Sequence, residues 1–485
     1  MKNIIPSSLF LKLKQDNTLK ARLVVHGDRQ ILSDLFGSNS SPTINIHTLL
    51  ATLSLAAKEG HDFESIDITG AYLNATLPEP EFMRINADLA AILVELDPSR
   101  AKFLDSKGAI TVKLKKALYG LKNSGKLWYD RMQKFMTEQG FTRSSIDKCL
   151  FSKKSGPSIT HALVYVDDIL LIGNDPKERR SIKSQLKVSF NNITEQPTNN
   201  VTFLGMRIAK QTNGDITIDQ HSMISDLLAE YKTTDTSINP AAINILNSHE
   251  TNSTSTVTPT IYRSLNMKLL YLATRTRPDI LFATVVLATR SQNPSQIDFD
   301  RLHKILQYLN GTQKHRLTYK KEGPLKVNAH VDSSFNVHWD AKGHSGFAIF
   351  PDLNNSAAII VKSTKHRSTA DSSTEAELMA LHEAVKYITW IADIYEELGY
   401  NVKPVLTYQD NMSSIALSSK ESINFRGNSK FINRKYFGVY EHIENGDVIL
   451  THIGTENMIA DVLTKALCGE KFRRFSIALL GDPHN

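Results

Sequence analysis

The sequence predicts a mixed α/β fold of the α+β kind, divided into about three units. Three observations carry this expectation. The 485 residues exceed what one hydrophobic core usually organises, and ordinary domain sizes give about three units. Segments of strand period and helix period alternate, and a polar, proline-punctuated stretch at 233–260 divides them into two sets. Residues 321–485 then read strand, strand, strand, helix, strand, helix, strand, helix.

Taken in order, the first unit mixes short strands and helices up to about residue 230. Within it, "ESIDITGAYLN" ends a short apolar piece at Asp67, with Tyr72 five residues later. "HALVYVDDILLIGND" (161–175) reads as two strands joined at Asp167 and Asp168. Asp-Asp lacks the positive-φ tolerance of an ordinary tight hairpin turn. The stretch "TTDTSINPAAINILNSHETNSTSTVTPT" (233–260) has the composition of a linker. A helical section follows, in which Pro278 is expected in a first turn behind a threonine cap and "DRLHKILQYLNGT" ends at Gly311. The last unit offers strands at 325–332, 345–350 and 357–362, a helix at 373–398 ending at Gly399, a strand at 404–410, a helix, a strand at 447–453 and a final helix. That order is the one of a ribonuclease H fold.

Composition narrows the function classes. Cys149 and Cys468 are too few for a disulfide framework or a zinc cluster. No apolar run reaches membrane-spanning length, and Pro6 with two serines breaks "MKNIIPSSLFLKL" before a signal-type core forms, so a soluble intracellular protein with no membrane partner is expected. The net charge of +7 is concentrated. Residues 1–30 hold six Lys/Arg against two Asp/Glu, and residues 101–140 nine against three, for nets of +4 and +6. Such clusters fit polyanion binding through counterion release, and equally a solvated lysine-rich surface.

The carboxylates carry the chemistry. Two adjacent aspartates repel unless a proton or cation neutralises them. With Asp67, Asp167 and Asp168 supply the three carboxylates of a two-metal nucleotidyl-transfer site, for which oxygen-only ligation favours Mg2+. Alone, Asp67 reads more often as a helix cap or turn residue, and Asp-Asp as a calcium site or an exposed turn. In the last unit Asp332 closes the first strand, Glu377 lies in the long helix, Asp410 ends the fourth strand and Asp461 begins the last helix. Two capping boxes compete at the start of that helix, Ser372 with Glu375 and Thr374 with Glu377. Glu377 shares a face with Leu381, Ala384 and Ile388, which favours it as the ligand. His452 is a weaker candidate for proton transfer or product release.

Ten collinear motifs resemble the reverse transcriptase and ribonuclease H region of copia-type LTR retrotransposon Pol polyproteins. They are "KARLVVHGDRQ" (20–30), "SIDITGAYLN" (65–74), "ALYGLKNSGKLWYDRM" (117–132), "SSIDKCLF" (144–151), "YVDD" (165–168), "FLGMRI" (203–208), "TRPDI" (276–280), "SSTEAELMAL" (372–381), "QDNMSSIAL" (409–417) and "ADVLTK" (460–465). The resemblance implies a right-hand polymerase of fingers, palm and thumb, a connection, and a ribonuclease H-like domain, at 1–240, 241–320 and 321–485. It implies that Asp67, Asp167 and Asp168 ligate the polymerase metals, and that Asp332, Glu377, Asp410 and Asp461 ligate those of the nuclease, with Mg2+ or Mn2+ as cofactor. It makes Lys20 and Arg22 contacts of the incoming triphosphate and Tyr72 the ring that excludes a 2′-hydroxyl. Gly120 is where the backbone passes close to nucleotide and template, and Leu204 and Gly205 are part of a primer grip.

The implied activity is RNA- and DNA-directed DNA synthesis with cleavage of RNA in RNA/DNA hybrids. The implied partners are an RNA template, a DNA primer-template, an RNA/DNA hybrid and dNTPs, with association with the element's capsid and integrase. The implied location is a virus-like particle in the cytoplasm, or the nucleus. His26 stands where arginine is usual, Gly125 where proline is common, and "KFINRKYFGVYEH" departs from a histidine-rich pattern. The chain starts within the fingers, so a fragment, a gene-model product or a decayed insertion is expected. The alternative function is that of a catalytically weak or domesticated nucleic-acid-binding remnant.

Overall fold

The computed structural model describes residues 4–13, 19–31, 39–190, 192–247, 258–353, 356–419 and 438–481. Up to residue 196 the elements are β1 (Ile4–Leu13), β2 (Leu19–Val25), α1 (Ile46–Glu59), β3 (Asp62–Ile68), β4 (Thr76–Ile85), α2 (Ala87–Leu96), β5 (Ile110–Lys116), α3 (Ser124–Glu138), β6 (Thr142–Arg143), β7 (Leu150–Ser155), β8 (Ser158–Tyr165), β9 (Asp168–Gly173), α4 (Pro176–Phe190) and β10 (Ile193–Glu195). The chain forms two compact units, one of residues 1–44 with 64–196 and the other of 45–63 with 197–485.

In the first unit, one sheet has the order β2-β1-β4-β5 and another the order β10-β3-β9-β8-β7-β6. The apolar runs of β8 and β9 are buried along nearly their whole length, as a strand covered on both faces requires. Trp128, Met132 and Phe135 of α3 and Ile182, Leu186 and Phe190 of α4 share a core with Ile169 and Leu171 of β9. Their i, i+4, i+7 and i, i+4, i+8 spacings put these side chains on one helix face.

The second unit continues with β11 (Asn200–Phe203), β12 (Met206–Lys210), β13 (Ile216–Asp219), α5 (His221–Glu230), α6 (Pro259–Ala273), α7 (Leu281–Ala288), α8 (Gln296–Gly311), β14 (Leu317–Tyr319), β15 (Asn328–Ser334), β16 (His344–Phe350), β17 (Ile360–Lys365), α9 (Ser373–Glu397), β18 (Val405–Gln409), α10 (Met412–Ser418), β19 (Val448–His452) and α11 (Gly469–Leu480). β11 to β14 make an antiparallel sheet. The second sheet, in the order β17-β16-β15-β18-β19, is antiparallel from β17 to β15 and parallel from β15 to β19. This is the ribonuclease H-like topology, so the fold combines that sheet with a mixed α/β polymerase-type region. The helix α1 belongs to this unit although in sequence it falls between the two segments of the first: Ser54 Oγ lies 2.7 Å from Tyr395 Oη of α9.

Several local expectations change. Only Val166 and Asp167 form the turn of the "YVDD" hairpin, because Tyr165 pairs with Asp168, which is already the first residue of β9. Pro278 has no threonine cap. Arg277 occupies the N-cap position, fully buried against Asp279 at 2.8 Å, while Thr276 donates to Gln220. Asp461 does not begin the last helix; it lies in a 3-10 turn, Ile459–Leu463, ahead of α11. The polar stretch ends earlier than its composition indicates, since Thr258 caps α6 and Pro259 takes its first turn. The described part of that stretch is tied down: Asn310 donates to Thr234 O and Asp235 O at 3.0 Å, and Arg290 to Ile245 O. Residues 248–257 and 420–437 lie outside the described residues. Among the described residues no helix is long and apolar enough to cross a membrane.

Candidate metal centres

In the first unit the sheet order sets β3 between β10 and β9, which brings Asp67, near the end of β3, beside the hairpin turn. Ile68 N donates to Asp167 O at 2.9 Å. Burial, then Asp167, push the Asp67 carboxyl above its ordinary range. The Asp168 carboxyl rises to about 6 through burial and then the charges of Asp167 and Asp67. Carboxyls so raised have too little positive charge beside them, which is the electrostatic condition that a divalent cation relieves. Lys20 of β2 is close enough to Asp67 to oppose its shift. Tyr72 sits in the short turn after β3 with its ring edge-on to Tyr119, centroids 4.8 Å apart, and the Arg22 guanidinium lies 5.6 Å from the Tyr119 ring.

Gly120 has φ +96, and a Cβ there would fall 1.9 Å from Val25 O. The close approach is thus to β2, whose Val25 N also donates to Tyr119 O at 2.8 Å. Leu204 and Gly205, in the second unit, form the two-residue turn between β11 and β12, both at positive φ (+52 and +72). Tyr271 Oη donates to Leu204 O at 3.1 Å.

The second centre is tighter. Carboxylate oxygens of Asp332, Asp410 and Asp461 all lie within 4.8 Å of one another. Among the described residues this is the one group of three metal-ligating side chains drawn so close, and the residues of the first centre and Glu377 stand outside that spacing. Asp332 lies within β15, which runs on to Ser334, and Asp410 follows the last residue of β18, the strand parallel to β15. Asp461 reaches them because its turn lies on Gly346 of β16, where a Cβ would come 2.7 Å from Leu463 Cβ. Ser363 Oγ donates to Leu463 O at 2.7 Å and holds the turn there.

Glu377 is buried on α9, where burial and then Asp332 and Asp410 push its carboxyl up to about 9. Gln409 orients it: the amide oxygen accepts from Asp410 N (2.7 Å) and Asn411 N (3.1 Å), so the amide nitrogen donates to Glu377 Oε2 at 3.1 Å. The helix cap belongs to the other pair, with Ser372 Oγ accepting from Glu375 N and Glu375 Oε2 from Asp371 N. The Asp332 carboxyl is pushed up to about 6 by burial, against Lys465. Lys465 Nζ stands 2.5 Å from Asp461 and 3.4 Å from Asp332, Lys471 Nζ 3.0 Å from Asp461, and Thr464 donates to Asp332. Gln409, Thr464, Lys465 and Lys471 were not singled out from sequence. The i, i+4 spacing of Asp461 and Lys465 in "ADVLTK" was the available signal. His452 is exposed at the end of β19, paired with Gln409.

Residues 2–247, half of the chain, match the family described as reverse transcriptase (RNA-dependent DNA polymerase). The chain belongs to the reverse transcriptase family. Relatives of this reverse transcriptase chain are retrotransposon Pol polyproteins of the copia type. It is 29% identical over 465 residues to that of transposon RE1 from Arabidopsis thaliana, covering 95% of the chain and 30% of the relative. It is 28% identical to that of TNT 1-94 from Nicotiana tabacum (95% and 34%) and 26% identical to the Ty1-NL2 Gag-Pol polyprotein of Saccharomyces cerevisiae (97% and 27%). The chain spans about a third of the length of these relatives. Among solved structures, a foamy viral protease–reverse transcriptase in complex with RNA/DNA hybrid covers 94% of the chain and 51% of its own at TM-score 0.49 and 11% identity. LC11 RNase H1 with RNA/DNA hybrid covers 29% and 94% at TM-score 0.23 and 14% identity.

Proposed function

We propose that the chain is an RNA- and DNA-directed DNA polymerase with ribonuclease H activity. On this reading it copies retrotransposon RNA into DNA and degrades the RNA of the resulting hybrid. The observation that carries the reading is that each unit has its own acidic centre, one beside the β8–β9 hairpin of a reverse transcriptase family chain and one at the parallel strand pair of a ribonuclease H-like sheet. Oxygen-only donor sets with raised carboxyls fit Mg2+, or Mn2+, at both.

In the first centre Asp67, Asp167 and Asp168 would hold the metal. When bound it supplies the positive charge that activates a primer 3′-hydroxyl and neutralises the leaving pyrophosphate. Lys20 and Arg22 bind the triphosphate of the dNTP. Tyr72, braced by Tyr119, fills the space a 2′-hydroxyl would need. In the second centre Asp332, Asp410 and Asp461 would hold the metal with Glu377 beside them, and the hybrid would be recognised through the 2′-hydroxyls of its RNA strand. Lys465, paired with Asp461 and Asp332 in the metal-free protein, would then be available to a backbone phosphate. Leu204 and Gly205 would face the primer.

Purified protein with Mg2+ should extend a DNA primer on RNA and on DNA templates and cleave the RNA of a hybrid. Asp167→Asn should abolish extension and leave cleavage, because only a charge in the first centre is lost. Extension by Asp167→Asn would overturn the assignment. A folded protein that binds hybrid yet performs neither reaction would be the nucleic-acid-binding remnant.

A further inference from the structure

The turn that carries Asp167 is backbone of an unusual kind. Val166 has φ +55, a left-handed conformation that a β-branched residue rarely adopts and that persists only where its surroundings over-determine it. Two hydrogen bonds do so. Trp128 Nε1 donates to Val166 O at 2.6 Å, and Ile68 N, next to Asp67, donates to Asp167 O at 2.9 Å. The Trp128 anchor is rigid: it is 2% exposed, and its ring meets Phe190 edge-on at 5.3 Å, which in turn meets Phe135 at 5.2 Å. A donor-only indole can serve the Val166 carbonyl in one way alone. The device recurs in the second unit, where Leu204, also at positive φ, has its carbonyl held by Tyr271 Oη at 3.1 Å.

We propose that Trp128 is a positioning residue for DNA synthesis: its indole N–H holds Val166 left-handed, and so aims the Asp167 carboxylate toward Asp67. The proposal rests on the polymerase reading for its consequence, though not for its geometry. The bland alternative makes Trp128 a core residue whose N–H found a convenient acceptor.

Trp128→Phe keeps an aromatic side chain and removes the donor together with part of the indole's volume, a packing loss that the double-mutant cycle below separates from loss of the hydrogen bond. Loss of a buried hydrogen bond at the turn predicts a fall in kcat for primer extension of about ten- to a hundredfold, with KM for dNTP nearly unchanged. Val166→Gly removes the Cβ that makes positive φ costly. In the V166G background, W128F should therefore lower kcat by less than about threefold, a coupling that a double-mutant cycle reads directly. Hydrogen exchange at the Ile68 amide supplies a readout independent of activity: W128F should speed it about tenfold, and V166G should reverse that. Equal losses in both backgrounds, or unchanged exchange in W128F, would overturn the proposal. A wild-type chain inactive in extension would sink the polymerase reading instead, with the exchange arm still deciding whether Trp128 holds the turn.

Discussion

Glu375 and Glu377 are two residues apart on α9 and meet opposite environments. Glu375 closes the first turn of the helix in solvent, accepting from Asp371 N at 2.7 Å. Glu377 points into the sheet, where burial and the nearby aspartates hold its carboxyl protonated up to about pH 9 in the metal-free protein. The sign of the pH dependence follows. A carboxyl whose folded pKa is raised from 4.5 to about 9 retains a proton that the unfolded chain has released. Its contribution is full below about pH 4.5 and is lost as pH rises toward 9. Asp332, raised from 3.8 to about 6, adds a loss across that lower window. Melting in EDTA should therefore show a falling Tm across this range, flattened in Glu377→Gln, whose Tm near neutrality should equal or exceed the wild-type value. Hybrid cleavage by that variant should drop by orders of magnitude. Glu375→Gln should cost about 1 kcal/mol or less through its cap and keep cleavage nearly intact. If Glu375→Gln is the inactive variant, the two roles are exchanged.

At the scale of elements, the chain relies on close backbone approaches that side chains would forbid. β2 and the 117–121 segment meet at Gly120 and Gly27, where added Cβ atoms would lie 1.9 Å from Val25 O and from Gly120 O respectively. Gly120→Ala must push these segments apart and strain a φ of +96, so a loss on the order of 1–3 kcal/mol is expected. Faster amide exchange at Val25 and a lower urea midpoint would register it, and unchanged stability would mean the loop can yield. The family resemblance marked Gly120 as passing close to nucleotide and template, whereas the approach its backbone makes is to Val25 O. Sequence alone cannot say that "KARLVV" lies against "LYGL". The same holds for α1. It runs from an Asn45 cap to Gly60 at φ +67, and its membership of the second unit was decided by long-range packing against α9.

For the whole molecule, charge distribution makes the expectation. The basic stretches at 1–30 and 101–140 both lie in the first unit. If they meet a primer-template, each neutralised phosphate releases counterions, and affinity should fall by orders of magnitude over a roughly fourfold rise in salt. Titration of labelled primer-template at several salt concentrations checks this; a flat response would make these lysines a solvated surface. The two acidic centres predict separable metal dependence. Variants of Asp67 or Asp167 and variants of Asp332 or Asp461 should each silence one reaction alone.

What the sequence by itself determined was local or chemical. The strand and helix order of residues 321–485, the seven acids and the family motifs follow from period, residue type and spacing, which need no knowledge of distant contacts. Tertiary structure decided which groups meet. It joined Asp332 of a strand, Asp410 just after a second strand and Asp461 of a turn within 4.8 Å, set Lys465 and Lys471 among them, and assigned Gln409 to Glu377. It also put the Trp128 indole on the Val166 carbonyl, 38 residues away. Convergence of this kind depends on sheet order and on glycine-permitted approach, and neither is encoded in the residues that converge.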